Sequence, residues 1–311
     1  MKPEVLLIEP MQAEVEAQLD ADYRVHRLAQ AKDQATFLKA IGAPVRAIVT
    51  GGRLGAANAI VDALPALEII VINGIGTDAV DLERARARGV RVTTTPGVLT
   101  DDVADLAIGL LLAVSRRICV ADRFVRAGKW PQEHLPFSHK VSDKRLGIFG
   151  LGHVGRAVAR RAEGFDMSIA YTERRQAESP YRFVPDLEEL ARDSDILVVA
   201  ASAGPATQGI INRSVLDALG PQGILINVAR GSIVDEEALI AALAEGRLGG
   251  AGIDVFVHEP EVPQALWAMD NVVLQPHQAS ATFETRRAMA DLVLANLAAH
   301  FAGKDLPTPA V

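Results

Sequence analysis

A chain of 311 residues has room for roughly two domains of about 150 residues each. Hydrophobic residues make up 49 % and charged residues 23 %, an ordinary globular balance, and the single cysteine, Cys119, excludes an internal disulfide or a multi-cysteine metal site. The formal charge of −7 argues against a broad nucleic-acid-binding surface. The longest clean apolar run, Ala107–Val114, falls far short of the ~20 residues of a membrane span, and the opening MKPEVLLIEPMQAEVEAQ is too acidic for a signal peptide, so a soluble, cytoplasmic protein is expected.

Short β-branched runs alternate with amphipathic segments from end to end. Strands are predicted at Val5–Ile8, Ala47–Thr50, Ile69–Ile72, Leu146–Phe149, Ser168–Tyr171, Ile196–Ala200, Gly223–Asn227, Ala251–Asp254 and Val272–Leu274. Helical patterns lie between most of them, which predicts an α/β chain with parallel sheets and right-handed crossovers. The segment Thr100-Asp-Asp-Val-Ala-Asp-Leu-Ala-Ile-Gly-Leu-Leu-Leu-Ala-Val reads as a helix capped by Thr100, with Asp101 and Asp102 suiting the first-turn dipole. It is apolar on nearly all sides, so it is expected to be buried, between domains or subunits. A domain boundary is placed just before it. The last helical pattern, Phe283–His300, is long enough to return to the first domain. The expected organisation is 1–98 plus 282–311 as one domain and 99–281 as the other.

Residues Gly150-Leu151-Gly152-His153-Val154-Gly155 contain G-x-G-x-x-G between a predicted strand and a predicted helix, as a dinucleotide fold requires. Gly150 makes the tight turn, Gly152 lets the backbone approach a pyrophosphate, and Gly155 lets helix and strand approach closely. The helix N-terminus supplies free N–H donors, and His153 lies within reach of phosphate. The alternative is a tight turn without a ligand. At the end of the next strand stand Thr172-Glu173-Arg174-Arg175. A carboxylate at the ribose would favour NAD, whereas arginines pair with a 2′-phosphate and stack on adenine. Thr172 is read as the residue at the strand end, Glu173 as turned outward, and Arg174 and Arg175 as 2′-phosphate ligands, although the pair also fits a solvated loop. The pattern favours NADP over NAD.

Three polar residues follow later strand ends: Arg230 in Asn-Val228-Ala229-Arg-Gly, Glu259 in Asp254-Val-Phe-Val-His-Glu-Pro, and His277 in Gln-Pro-His. Ligands of open α/β sheets sit outside the carboxyl ends of strands, so three loops bring these groups to the edge that carries the glycine loop. The set fits hydride transfer to a 2-keto acid. Arg230 would hold the substrate carboxylate through two parallel hydrogen bonds. A protonated His277 would donate to the carbonyl oxygen as it becomes an alkoxide. Glu259 would orient the ring and favour its charged form. Each residue alone also has a bland reading, as a cap, a surface acid or a loop histidine.

With these motifs the sequence resembles the D-2-hydroxyacid dehydrogenase family, through GLGHVGRAVA, NVARGSIVDEEAL, GGAGIDVFVHEPEVP and NVVLQPHQAS. Within it, TTPGVLTDDVADLAIGLLLAVSRRI and the two arginines are most similar to the NADPH-preferring glyoxylate/hydroxypyruvate and hydroxyphenylpyruvate reductases. The resemblance implies two Rossmann-like domains, a flavodoxin-like substrate domain and a cofactor domain, with an interdomain cleft, in a homodimer. It implies the roles given above to Arg230, Glu259 and His277. It also implies that Ile75 and Gly76 offer N–H groups to the substrate carboxylate, and that Asp254 lies near the nicotinamide. Trp130 would reach the partner's pocket or simply pack in a dimer arm. Val228 and Ala229 join the cofactor contacts. The chain departs from the family at Gln278-Ala279-Ser280. The loop that lines the family's substrate pocket carries Arg53 here, which would bind a second polar group or face solvent. The competing readings are an NAD-dependent D-lactate or phosphoglycerate dehydrogenase and a non-catalytic nucleotide-sensing scaffold. A formate dehydrogenase would want Gln where Glu259 stands.

Overall fold

The computed structural model describes residues 2–311. The chain forms two compact units, Met1–Leu99 with Thr282–Val311, and Thr100–Ala281. The first holds strands β1 (Glu4–Leu7), β2 (Arg24–Arg27), β3 (Val45–Gly51), β4 (Ile69–Asn73) and β5 (Arg91–Thr93). The second holds β6 (Arg145–Phe149), β7 (Ser168–Thr172), β8 (Arg182–Phe183), β9 (Ile196–Val199), β10 (Ile224–Asn227), β11 (Gly250–Ile253) and β12 (Val272–Leu274).

All strand pairs in both sheets are parallel. The first sheet runs β2-β1-β3-β4-β5, the flavodoxin-like order, and the second β12-β11-β10-β9-β6-β7-β8, a Rossmann order with a seventh strand. Strand order reverses at β1/β3 in one and β6/β9 in the other. Parallel strands covered on both faces read as continuous apolar runs. β4 does so, with Ile69, Ile70, Val71 and Ile72 all buried. The sequence pattern did not pick out β2, β5 and β8, which are short or at sheet edges and owe their extended form to one paired neighbour.

The helix Thr100–Ser115 starts at Thr100 itself, so Thr100 is its first helical residue and not its cap. Only one face is buried, through Val103, Ala104, Ala107, Ile108, Leu110 and Leu111. Glycines in β11 let it lie close: a Cβ on Gly252 would stand 2.9 Å from Leu110 Cβ. In the other unit, the helix Phe283–Phe301 covers one face of the five-stranded sheet through Ala290, Val293 and Leu297. The C-terminal residues then line the outer edge of β5, where Val92 donates to Val311 O at 2.9 Å. Among the described residues no helix is long and apolar enough to cross a membrane.

One polar cluster joins that helix to the sheet. His300 is 7 % exposed, and its Nδ1 accepts from Arg91. Nε2 therefore carries the proton, and it donates to Glu68 Oε2 at 2.9 Å. Glu68 in turn takes two hydrogen bonds from Arg46, each of 2.8 Å. Burial holds His300 below the usual imidazole range, and the hydrogen bond from Arg46 holds Glu68 below the usual carboxylate range. Both groups bind protons more weakly folded than unfolded, so their stabilisation is present near neutral pH and is lost on acidification. The melting temperature is expected to fall as pH drops through the ordinary imidazole value of about 6.5, and His300→Gln to flatten that fall. Equal slopes for both proteins in thermal melts would reject the assignment.

Candidate functional site

The carboxyl edge of the seven-stranded sheet gathers the candidate residues of its unit. Gly150 follows β6 with φ +94°, and a Cβ there would stand 2.5 Å from Ala201 Cα. Its N–H donates to Thr172 O at 3.0 Å. A Cβ on Gly155 would stand 2.1 Å from Gly150 O, so only glycine lets the helix His153–Glu163 begin this close to the strand. Gly152 differs: nothing lies within 4 Å of an added Cβ. Gly152 is the N-cap of that helix and offers no side-chain cap, so the first-turn N–H groups are left for an acceptor from outside. Leu151 is buried, Val154 half-buried and His153 exposed. This open, uncapped helix start fits a dinucleotide pyrophosphate.

β7 ends at Thr172, which is buried and donates from Oγ1 to Pro185 O at 3.2 Å. Glu173 is half-buried, whereas Arg174 and Arg175 are exposed. Val228 is buried and Ala229 half-buried past the end of β10.

The loops after β10, β11 and β12 are tied to one another. Asn227 is buried; its Oδ1 accepts from Ala229 N at 3.1 Å and its Nδ2 donates to Arg230 O at 3.0 Å. Arg230 Nη1 donates to Ala229 O at 2.8 Å. A Cβ on Gly231 would stand 2.0 Å from Phe256 C, so the Arg230 loop lies directly on the loop that leads to Glu259. Glu259 Oε1 accepts from Phe256 N at 3.0 Å, and Oε2 lies 2.7 Å from His277 Nδ1. The His277 side chain is 31 % exposed and that of Glu259 13 %, so the pair is shielded on the carboxylate side and open on the ring side. His258 is exposed and turned into a short bridge with Glu261. Among the described residues no His, Cys, Asp and Glu cluster could hold a metal ion.

Asp254 is the residue whose structural part the sequence reading did not foresee. It is fully buried at the end of β11. Its Oδ1 accepts from Gln278 N at 2.7 Å, its Oδ2 from Ala279 N at 3.1 Å, and its backbone carbonyl from His277 N at 2.8 Å. Burial pushes its carboxyl above the usual range, against the two backbone N–H groups that favour the anion. His277 sits at φ 56°, a left-handed conformation that costs a non-glycine residue energy. The three hydrogen bonds to Asp254 hold it there. An acid at a strand end was visible as a signal; its clamp on a loop beyond the next strand was not.

The remaining candidates lie elsewhere. Ile75, 45 % exposed, and Gly76 follow β4 in the other unit. Arg53 follows β3 there and pairs with Glu9, Nη2 to Oε1, at 3.2 Å. Trp130 is exposed beyond the helix Ile118–Arg126, which buries none of its residues. Replacing Asp254 with Ala removes two charge-assisted hydrogen bonds of about 1.5–3 kcal/mol each. Amide exchange at Gln278 and Ala279 is then expected to speed up at least about tenfold; unchanged exchange would show that the turn holds itself.

Comparisons with known proteins bear on the whole chain. Residues 108–279 match the model of the D-isomer specific 2-hydroxyacid dehydrogenase, NAD binding domain. The chain is 52 % identical over 308 residues to hydroxyphenylpyruvate reductase of Plectranthus scutellarioides, covering 99 % of this chain and 98 % of that protein. It is 47 % identical over 308 residues to glyoxylate/hydroxypyruvate reductase A HPR2 of Arabidopsis thaliana, with the same coverage. Among solved structures, NADPH-dependent glyoxylate/hydroxypyruvate reductase of Sinorhizobium meliloti in complex with NADP and malonate superposes with a TM-score of 0.94 at 42 % identity, covering 100 % of this chain and 97 % of that one. The chain belongs to the D-isomer specific 2-hydroxyacid dehydrogenase family of oxidoreductases.

Proposed function

We propose that this protein reduces small 2-keto acids, with glyoxylate, hydroxypyruvate and aryl pyruvates as candidates, to D-2-hydroxy acids, using NADPH in preference to NADH. The observation that carries the reading is the His277–Glu259 pair, 2.7 Å apart, on loops tied to that of Arg230. The relatives named above act on such acids by name, and the Sinorhizobium reductase is NADPH-dependent.

When bound, the reduced nicotinamide supplies the hydride. Gly150, Gly152 and Gly155 with Leu151, His153 and Val154 take the pyrophosphate; Thr172, Arg174 and Arg175 take the adenosine end; Val228, Ala229 and Asp254 border the nicotinamide. Arg230 binds the substrate carboxylate, its fork steadied by the carbonyl of Ala229. Ile75 and Gly76 are read as substrate-binding residues through their backbone N–H groups. Glu259 takes Nδ1 of His277, which leaves Nε2 as the proton donor to the carbonyl oxygen. Held beside that oxygen, the imidazolium both protonates it and offsets its developing charge.

A homodimer in the cytoplasm is part of this reading. Exposed Ile118, Val125, Trp130 and Phe137 cluster along one stretch of chain and suit a partner subunit, whose pocket Trp130 would complete.

His277→Ala is expected to lower kcat about a thousandfold, the middle of the range for a lost general acid, with NADPH still bound in fluorescence titration. Wild-type turnover would reject the acid. Arg174→Ala is expected to weaken NADPH at least about tenfold more than NADH, because a charged phosphate contact is worth roughly 1.5–3 kcal/mol. Equal losses in parallel titrations would favour NAD.

A further inference from the structure

The connection Glu173–Tyr181 joins β7 to β8, its parallel neighbour, without a helix. Parallel neighbours are usually joined by one, so this connection takes its shape from side chains instead. Tyr171 contributes most. It is 1 % exposed, and its ring packs on that of Phe183 with centroids 5.4 Å apart. Its hydroxyl donates to Ala177 O at 2.9 Å and accepts from Ala177 N at 3.0 Å. A phenol has one proton to give and lone pairs to receive another. Here both bonds go to a single residue, so Ala177 is fixed twice over against the end of β7.

The rest of the connection is tied to the helix His153–Glu163. Arg156, in its first turn, donates from Nη1 to Glu178 O at 3.0 Å. At its other end, Glu163 Oε1 accepts from the Tyr181 hydroxyl at 2.9 Å. The helix whose uncapped start fits a pyrophosphate thus also holds the far side of this loop. On the near side, Thr172 O accepts from Gly150 N at 3.0 Å. Between the anchors at Thr172 and Ala177 stand Arg174 and Arg175, both exposed. A loop held at both ends presents its guanidiniums already placed, whereas ordering a free loop on binding costs affinity.

We propose that Tyr171 is a positioning residue for the cofactor: its hydroxyl holds this loop in the form that takes the adenosine end, and so sets the preference for NADPH over NADH. The inference rests on the reading of Arg174 and Arg175 as ligands of the 2′-phosphate. Tyr171 is buried and acts only through the loop. The 2′-phosphate depends on where the two arginines stand; NADH lacks that group and loses less when the loop loosens.

Tyr171→Phe removes the hydroxyl and keeps the ring on Phe183. Ala177 is half-buried, so water reaches its freed N–H and C=O and the fold is kept. In fluorescence titrations, the ratio of the NADH to the NADPH dissociation constant is expected to fall about fivefold, the size of a lost neutral hydrogen bond. The KM for NADPH rises with it, while kcat at saturating NADPH stays at the wild-type value. A general loss of packing would weaken both cofactors alike and leave the ratio unchanged. In a protein already carrying Arg174→Ala and Arg175→Ala, Tyr171→Phe is expected to leave the ratio where it is, since the groups it positions are gone. An unchanged ratio in Tyr171→Phe alone, or the same fall with and without the arginines, overturns the proposal. A wild type that binds NADPH no better than NADH rejects the reading of the arginines instead. Tyr171 is then decided by NADH alone. A dissociation constant raised by Tyr171→Phe at constant kcat supports a loop held for the adenosine; an unmoved one overturns it.

Discussion

The buried carboxylate of Asp254 is the constraint on which the edge of the cofactor-type unit depends. A carboxylate at zero exposure is costly unless its oxygens are used. Here both oxygens take backbone N–H groups from the residues just after His277. That arrangement fixes a loop in a left-handed turn and sets the imidazole against Glu259. Glu259 is itself held by the backbone of Phe256. Each polar group in the series is satisfied by the next, so the side chain of His277, the proposed acid, is positioned through contacts that its neighbours make.

The glycine loop follows a different logic. Gly150 and Gly155 are required by close backbone approach, whereas Gly152 faces open space. Two glycines make the turn possible and the third keeps it clear. The uncapped helix start beside them has donors to spare.

In the other unit a polar cluster closes on itself instead. His300, Glu68, Arg46 and Arg91 satisfy one another and join helix to sheet.

Much of this protein was legible in its sequence because the signals are local. Strand–helix alternation, the glycine spacing, and the placement of Arg230, Glu259 and His277 just beyond apolar runs are all set by neighbours along the chain. The edge strands β2, β5 and β8 were not legible, since a short extended segment takes its form from the strand beside it. Nor was the reach of Asp254 to Gln278 and Ala279, or the pairing of Arg53 with Glu9, residues far apart in the chain whose approach depends on how the strands are ordered. Residue type and spacing determined which chemistry the chain could perform. Tertiary structure decided which of those residues are buried, clamped or left wanting a partner, because hydrogen-bond satisfaction belongs to the folded neighbourhood and has no local code.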